Sequence, residues 1–129
     1  GGGIYNEYKL TIKNGNIVGN TAIRGGGVYN TSQLTTFTMK GGNIVGNTAG
    51  EGSGILFERC TIFDITGGAI KDSIAIWGRE TGTVTGGYFG KNALDPILGA
   101  SCLGSKSSYY DNDGSNSAYP KDMYPYMVK

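Results

Sequence analysis

The sequence predicts an all-β fold, a right-handed parallel β-helix of about four coils with a C-terminal cap. Two observations carry this prediction: an internal repeat and a short-period alternation of apolar and polar residues. Residues 16–22, Asn-Ile-Val-Gly-Asn-Thr-Ala, return letter for letter at 43–49, twenty-seven residues later. A repeat of this length indicates stacked units, each of which buries its apolar side only against its neighbours.

Each coil is predicted to contribute three short strands separated by glycine or asparagine corners. In residues 10–13, alternation points Leu10 and Ile12 inward and the polar residues between and after them outward. The equivalent segments are 37–40, 63–66 and 82–85. Two further strand types carry these residues inward: Ile17, Ile44, Ile70 and Phe89 in one, and Ile4, Val28, Ile55 and Ile74 in the other. Identical coils about 4.8 Å apart then bury continuous apolar columns.

The corners and loops differ from coil to coil. The spacing of successive glycine-containing corners falls from 27 to 26 to 19 residues, so the loops shorten toward the C-terminal end. The longest insertion, residues 31–36, belongs to the second coil. A polar residue follows each second strand at the same distance: Asn20, Asn47, Ser73 and Asn92. Such side chains are suited to hydrogen bonding along a stack of turns, and we expect a ladder there.

The repeats occupy residues 1–94, and a different kind of segment, 95–129, follows. Asp95 is predicted to be the N-cap of a short helix with Pro96 at its first position. A loop rich in serine, glycine and aspartate then runs through Ala118, and 124–129 is predicted to be a last strand. Terminal units of stacked-repeat proteins are normally atypical and cover the bare strand edges, so we assign 95–129 as a cap.

Charge and composition exclude several classes of partner. The net charge is +1 and there is no histidine, which gives no electrostatic case for nucleic acid or an anionic membrane. No apolar run reaches about 18 residues, so no membrane insertion is expected. The chain opens inside a repeat, and we expect a segment of a longer protein. Cys60 and Cys102 form either one disulfide between coil and tail or two separate buried thiols.

Several motifs resemble the repeats of bacterial surface β-helix proteins. Phe89-Gly-Lys-Asn92 and Gly67-Gly-Ala-Ile70 are similar to the paired Phe-x-x-Asn and Gly-Gly-Ala-Ile motifs of the polymorphic outer-membrane protein family of autotransporter adhesins. The order of Gly86-Gly-Tyr-Phe89, Asp95-Pro96 and the tyrosine-rich end resembles large surface proteins of gut bacteria with pectate-lyase-like β-helices. The resemblance covers most of the chain. It implies a secreted protein or one at the bacterial cell surface.

On these grounds we expect a non-catalytic adhesin segment, a rigid β-solenoid stalk with a binding surface for a host or environmental glycan or protein. The alternative is the C-terminal part of a β-helix polysaccharide lyase or glycoside hydrolase, which would require clustered carboxylates. Asp64 stands instead between threonines in the equivalent positions, Thr38 and Thr83. The other acidic residues of the repeats are expected singly in turns or loops: Glu7, Glu51, Glu58, Asp72 and Glu80. No catalytic residue is therefore assigned, and a spacer without a ligand remains a third possibility.

Two tyrosines are the candidate ligand-binding residues. Tyr5 and Tyr29 are predicted to point outward at equivalent places on successive coils, with Leu56 next in the row. Stacked aromatic rings on a flat sheet can hold a sugar ring or a partner surface, and they can equally form a ladder that stiffens the sheet. Trp77, the single tryptophan, is expected to cover the core beneath the tail rather than to bind a ligand.

The remaining candidate site is a calcium loop in the tail. Asp111, Asp113 and Asn116 alternate oxygen ligands around a glycine, as in part of a calcium-binding loop. The bidentate glutamate that ends a full loop is absent, which favours a solvated turn. No other cofactor is expected. Because the first coil exposes strand edges, edge-to-edge association with a second copy is a further expected interaction.

Overall fold

In the part of the chain that the structure describes, nearly all regular structure is β-strand, most of it paired in parallel, and there is one helix, so the fold is all-β. The computed structural model describes residues 2–59, 62–77 and 81–129. Sheet A contains β1 (Ile4–Asn6), β5 (Val28–Asn30), β9 (Ile55–Glu58) and β12 (Ile74–Trp77), in this order. Sheet B contains β2 (Lys9–Ile12), β6 (Thr36–Met39), β10 (Ile62–Ile65) and β13 (Thr81–Val84), in this order.

A third, larger sheet and a small fourth one complete the set. Sheet C begins with four parallel strands, β3 (Asn16–Val18), β7 (Asn43–Val45), β11 (Ala69–Ile70) and β14 (Gly87–Phe89). It continues with two antiparallel strands, β16 (Tyr126–Val128) and then β15 (Tyr109–Asp111). Sheet D pairs β4 (Thr21–Arg24) with β8 (Thr48–Glu51). The helix α1 (Lys91–Gly99) follows β14.

The chain passes through sheets A, B and C in the same order four times, and we call each passage a round. Equivalent strands of successive rounds pair in parallel and in register. Leu10 pairs with Phe37, which pairs with the third-round Phe63, and Ile17 pairs with Ile44. The predicted alignment of the three strand types is confirmed in each of the three sheets. The internal repeat therefore corresponds to strands that lie side by side.

The core lies between the sheets and consists of the inward-facing columns. Three phenylalanine rings meet at its centre, Phe37 with Phe57 at 5.4 Å and Phe57 with Phe63 at 4.2 Å between ring centroids. The fourth residue in the Phe63 column is Gly82. A Cβ at Gly82 would lie 2.0 Å from the Phe63 ring, so the absence of a side chain there makes room for the ring. The column is therefore filled without a clash, because a position with no side chain follows a position with a large ring.

A fourth strand type, formed by β4 and β8, was not predicted. It occupies the connection from sheet C to the next strand of sheet A in the first two rounds. In the third round β11 ends at Ile70 and β12 begins at Ile74, which leaves no room for such a strand. The shortening toward the C-terminal end is thus the loss of one strand. Strands β4 and β8 begin with the exposed residues Thr21 and Thr48 and show little alternation of apolar and polar residues, so the sequence did not predict them.

The polar ladder at the corner after sheet C exists, but its third member is not Ser73. Asn20 Nδ2 donates to Asn47 Oδ1 at 3.0 Å, as predicted. Asn47 Nδ2 in turn donates to Asp72 Oδ2 at 3.0 Å, and the Asp72 carboxylate also accepts the Asn47 backbone N–H at 2.8 Å. Ser73 instead contacts Ser53 Oγ at 2.9 Å. With the fourth strand gone, the chain turns one residue earlier, and a carboxylate ends the ladder.

The helix begins earlier than predicted, at Lys91 rather than after Asp95. Gly90 is the N-cap, Lys91 the first helical residue, and Pro96 lies inside the helix. The buried residues Ala93, Leu94 and Ile97 form its apolar side, most of which precedes Asp95. Burying that side outweighs the missing hydrogen bond of a mid-helix proline. Asp95 is not the N-cap, because it lies inside the helix, where its carboxylate pairs with Lys91 Nζ at 2.8 Å one turn away.

The rest of the tail lies against the fourth round. The predicted last strand is confirmed as β16, which pairs antiparallel with β14. Strand β15 lies within the segment predicted to be a loop, and it pairs with β16. Leu103 forms a parallel bridge with Val84 of sheet B, and α1 contacts β12 of sheet A. The tail therefore meets one strand of each of the three main sheets.

The letter-for-letter repeat supplies a matched test of core burial. Ile44 is fully buried in the second round, whereas its equivalent in the first round, Ile17, is partly exposed. We expect Ile44→Ala to lower the free energy of unfolding by about 2–5 kcal/mol, the usual loss for a buried isoleucine. Ile17→Ala removes the same atoms within the same seven-residue sequence, and we expect a loss below about 2 kcal/mol. Urea denaturation of both variants measures the difference, and equal losses would contradict the stacking of β3 on β7.

Candidate functional site

The two candidate tyrosines lie side by side on the outer surface of sheet A. Tyr5 of β1 pairs in register with Tyr29 of β5, and Leu56 of β9 follows. The rings meet edge to face, with centroids 5.4 Å apart and an interplanar angle of 86°. Tyr5 is 55% exposed, whereas Leu56 is fully buried. The row therefore presents one open aromatic face at Tyr5 rather than the flat platform of stacked rings that the sequence suggested.

Charged and aromatic groups surround these tyrosines. The Tyr29 hydroxyl donates a hydrogen bond to Glu58 Oε2. Glu58 Oε1 also lies 3.7 Å from Arg59 Nε. Trp77 pairs in register with Glu58, and the Arg24 guanidinium lies over the Trp77 ring at 5.3 Å from its centroid. We call Tyr5, Tyr29, Glu58, Trp77 and Arg24 the tyrosine face.

Hydrogen bonding to carboxylates changes the acidity of both tyrosines. Burial and the hydrogen bond to Glu58 raise the pKa of Tyr29 above its ordinary value, although a hydrogen bond with Arg24 opposes the shift. A side-chain hydrogen bond with Glu7 raises the pKa of Tyr5. Both phenols are protonated at neutral pH. The Tyr29 hydroxyl is held by Glu58 of the same sheet, and Tyr5 lies beside Glu7, which directly follows β1. Fixed hydroxyls and rings of this kind can hydrogen-bond and stack on a sugar.

Two shallow grooves flank the tyrosine face. One, of about 480 Å³, is lined by Ala22, Ile23, Arg24 and Tyr29. The other, of about 490 Å³, is lined by Tyr5, Glu7, Thr31, Ser32, Gln33, Leu34 and Arg59. The second groove is built from the predicted insertion of the second round. Ile23 and Leu34, one in each groove, are among the most exposed apolar side chains, 86% and 72%. The face thus combines apolar contact area with hydrogen-bonding groups on both sides.

Sequence reasoning found the tyrosines but missed three of their neighbours. Glu58 is the last residue of a strand rather than part of a turn, and Glu51 likewise ends a strand. Trp77 stands beside Glu58 on the outer side of sheet A, which corrects the expectation that it covers the core under the tail. Alternation from inward Ile74 and Ile76 places Trp77 outward, so this signal was available. Arg24 reaches the face from sheet D, and no periodicity relates the two.

The candidate calcium loop is a run of turns whose oxygens accept bonds from their own backbone. Asp113 Oδ1 accepts the Ser115 N–H at 2.9 Å, and Asn116 Oδ1 accepts the Ala118 N–H at 3.0 Å. Hydrogen bonds from Ser115 lower the pKa of Asp113, and Asp111 is exposed within β15. Between them Asn112 is buried and donates to the carbonyls of Tyr119 and Tyr124. These bonds fit the solvated-turn alternative, while calcium binding itself stays a prediction.

Other expected chemistry has less support in the structure. Asp64 pairs with Thr38 on one side and Thr83 on the other, as aligned from the sequence. Within 2–59, 62–77 and 81–129, no three acidic or cysteine side chains come together as metal ligands. Cys102 is buried, but Cys60 and Glu80 lie outside the described residues, so the disulfide stays a prediction. In the described part of the chain, no helix has the length and apolar character to cross a membrane.

Comparison of the chain with protein-family models, curated proteins and solved structures finds no match. The arguments for function therefore come from the residues and contacts of this molecule alone. Among its surfaces, the tyrosine face combines the exposed aromatic ring, the oriented hydroxyls and the flanking grooves that a polar ligand requires.

Removing the carboxylate charge beside Tyr29 tests the electrostatics of the tyrosine face. We expect Glu58→Gln to lower the pKa of Tyr29 toward its ordinary value of about 10, because the neutral amide no longer disfavours the phenolate. Ultraviolet titration measures this, with Tyr29→Phe identifying the signal. Because the folded pKa is raised, the stabilisation is complete below about pH 10 and is lost as the pH rises through the folded value.

The matched control for that titration is Glu7→Gln, which removes the carboxylate beside Tyr5 instead. It should change the ionisation of Tyr5 and leave that of Tyr29 in place. A Tyr29 titration that Glu58→Gln leaves unchanged would contradict the hydrogen bond between these two residues.

Proposed function

We propose that this chain is a segment of a bacterial cell-surface or secreted adhesin, in which a right-handed parallel β-helix carries a glycan-binding tyrosine face. The proposal has three parts: the architecture, the tail as its cap, and non-catalytic binding of sugar on sheet A. Each part rests on a different observation. The exposed, carboxylate-oriented tyrosine pair is the observation that carries the functional part.

The repeated order of the sheets supports the β-helix. The chain meets sheets A, B and C in one order in every round, and every pairing between rounds is parallel. A path that returns to the next strand of the same sheet by way of the other two winds in one sense around the core. Parallel crossovers are right-handed in about 98% of cases, which supports a right-handed helix. Such a stack is a rigid spacer with long lateral surfaces.

Contacts of the tail support its assignment as a cap. The fourth-round strands β12, β13 and β14 would otherwise end the stack with unpaired backbone groups and an exposed apolar interior. Strand β16 pairs with β14, Leu103 bridges to Val84, and buried α1 residues such as Ile97 join the core. The fourth-round strands of sheets C, B and A are thus contacted by a strand, a single bridge and a helix, respectively. A closed end at this side suits a stalk that stays soluble.

The tyrosine face supports sugar recognition in particular. Carbohydrates offer apolar ring faces rimmed by hydroxyls, and they are bound by aromatic rings next to fixed hydrogen-bonding groups. Tyr5 offers an exposed ring, and Tyr29, Glu58 and Arg24 offer donors and acceptors beside it. The grooves on either side give a longer ligand room to continue past the rings. We infer a non-catalytic role, in which these groups hold the ligand and break no bond.

A glycan array tests the proposal directly. The folded chain is expected to bind one class of glycan, and a double variant, Tyr5→Ala/Tyr29→Ala, to bind it at least about tenfold more weakly, a loss of about 1.4 kcal/mol. The matched control is Tyr109→Ala/Tyr110→Ala, which removes two exposed tyrosine rings from β15 at the other end of the molecule. It should retain the binding of the unaltered protein.

Three results would overturn the proposal. Equal losses in both double variants would show that the tyrosine face has no special part in binding. A protein that binds no glycan at all would be a spacer or a protein-binding segment. Shortening of a bound oligosaccharide during the assay, detected by mass spectrometry, would favour a β-helix lyase or hydrolase.

A further inference from the structure

The outer surface of sheet B presents a regular array of polar side chains. Alternation with buried residues places two residues of each strand outward, and the residue that directly follows each strand adds a third, so that three rows run across the sheet. The rows consist of Lys9, Thr36, Ile62 and Thr81; Thr11, Thr38, Asp64 and Thr83; and Lys13, Lys40, Thr66 and Thr85. Threonine fills seven of these twelve positions. We call this array the lysine–threonine face.

Three lysines lie together on the first two strands of this face. Lys40 N donates to the Ile12 carbonyl at 2.8 Å, so the parallel ladder continues past the strand ends and sets Lys40 beside Lys13. Neighbouring strands are about 4.8 Å apart and residues along a strand about 3.3 Å, so Lys9 lies about 13 Å from Lys13 along β2. All three side chains are exposed. The face therefore displays three positive charges in a patch about one strand spacing wide.

Among the residues that the structure describes, these three lysines form no ion pair. The ion pairs recorded among residues 2–59, 62–77 and 81–129 are Arg59 with Glu58 and Lys91 with Asp95. The single carboxylate in the twelve positions, Asp64, lies on the third strand and makes neither of these pairs. Like charges opposite one another on neighbouring strands destabilise a sheet. Lys13 and Lys40 consequently repel each other, and Asp64, diagonally across from Lys40 on β10, forms no ion pair with it.

From these three exposed lysines, which are not held in ion pairs, we propose that the lysine–threonine face binds a linear polysaccharide that bears carboxylate or sulfate groups. The ammonium groups match the repeated anionic groups of such a chain, and the threonine hydroxyls between them hydrogen-bond to its hydroxyls. The face lies on sheet B, whereas the tyrosine face lies on sheet A. The two sites are therefore separate, and this proposal does not depend on the proposed function.

A polysaccharide fits the face better than a nucleic acid does. None of the twelve positions holds an aromatic residue, and the exposed ring beside them, Tyr8, lies under the Lys9 ammonium at 5.4 Å rather than in a row on which successive bases could stack. The chain as a whole carries a net charge of +1, far below that of a protein that neutralises a long phosphate backbone. A short patch of lysines surrounded by threonine hydroxyls matches a polymer that has a lower charge density than a nucleic acid and many hydroxyl groups of its own.

Binding to defined polymers tests the proposal. Heparin serves as the sulfated probe, polygalacturonate as the carboxylated probe and dextran as the neutral one, with binding followed by biolayer interferometry at several salt concentrations. We expect binding to at least one anionic polymer and none to dextran. The logarithm of the affinity should fall with the logarithm of salt concentration with a slope of up to about 3, one for each lysine.

Charge-matched variants locate the site. Lys9→Gln/Lys13→Gln/Lys40→Gln is expected to weaken binding at least about tenfold and to reduce the salt slope toward zero. The control Lys71→Gln/Lys106→Gln/Lys121→Gln removes the same charge from exposed lysines elsewhere and should change the affinity less than about threefold. A melting temperature of Lys40→Gln at or above that of the unaltered protein is expected, because the repulsion from Lys13 is relieved.

Each opposite result would overturn the proposal. Equal losses in the two triple variants would show that net charge alone attracts the polymer. Duplex DNA bound as tightly as heparin would show a general affinity for polyanions. Binding to dextran with equal strength, or to none of the three polysaccharides, would exclude recognition of anionic sugar chains. Because the polymers are tested one by one, the outcome also separates sulfate from carboxylate recognition.

Discussion

Parallel, in-register pairing between equivalent strands of successive rounds is the interaction on which the rest of the structure depends. Each strand has only two to four residues and could not bury its apolar side alone. When β3 lies beside β7, Ile17 meets Ile44 and Asn16 meets Asn43, so like residues pack against one another. A slip by one residue would turn the inward columns to solvent. The register therefore fixes the core, the amide ladders and both outer faces together.

The parts of the fold that could be predicted from the sequence are those that repeat. Alternation in residues 10–13 and their equivalents gave the inward columns, because a strand has a period of two wherever it occurs. The tyrosine pair followed from the same rule, as did the ladder from Asn20 to Asn47. The residues of each inward column could be identified from the sequence, because equivalent positions point to the same side of the strand in every round. The packing within a column also depends on single residues, such as Gly82, whose missing side chain makes room for the Phe63 ring.

Features that arise where the repeat ends could not be predicted in this way. Loss of the fourth strand moved the corner by one residue, so Asp72 rather than Ser73 closes the ladder. The helix starts at Lys91 because the tertiary burial of Ala93 and Leu94 outweighs the cap and proline signals at Asp95. Arg24 meets Trp77 across two sheets, a contact that no local pattern encodes. These cases share one cause, since each depends on contacts between unlike segments.

The offset between paired strands of the first and second rounds is the same in sheets B, C and D, and this affects how such a protein can change in evolution. Strands β2, β3 and β4 all pair with strands 27 residues later. An in-frame duplication of one such 27-residue unit would add one strand to each of these sheets without disturbing any register. The third and fourth rounds also have a constant spacing, 19 residues in sheets A, B and C, so a copy of that unit would lengthen these three sheets but not sheet D. The stack can thus lengthen by whole rounds of either kind, and only copies of the 27-residue unit would also lengthen sheet D.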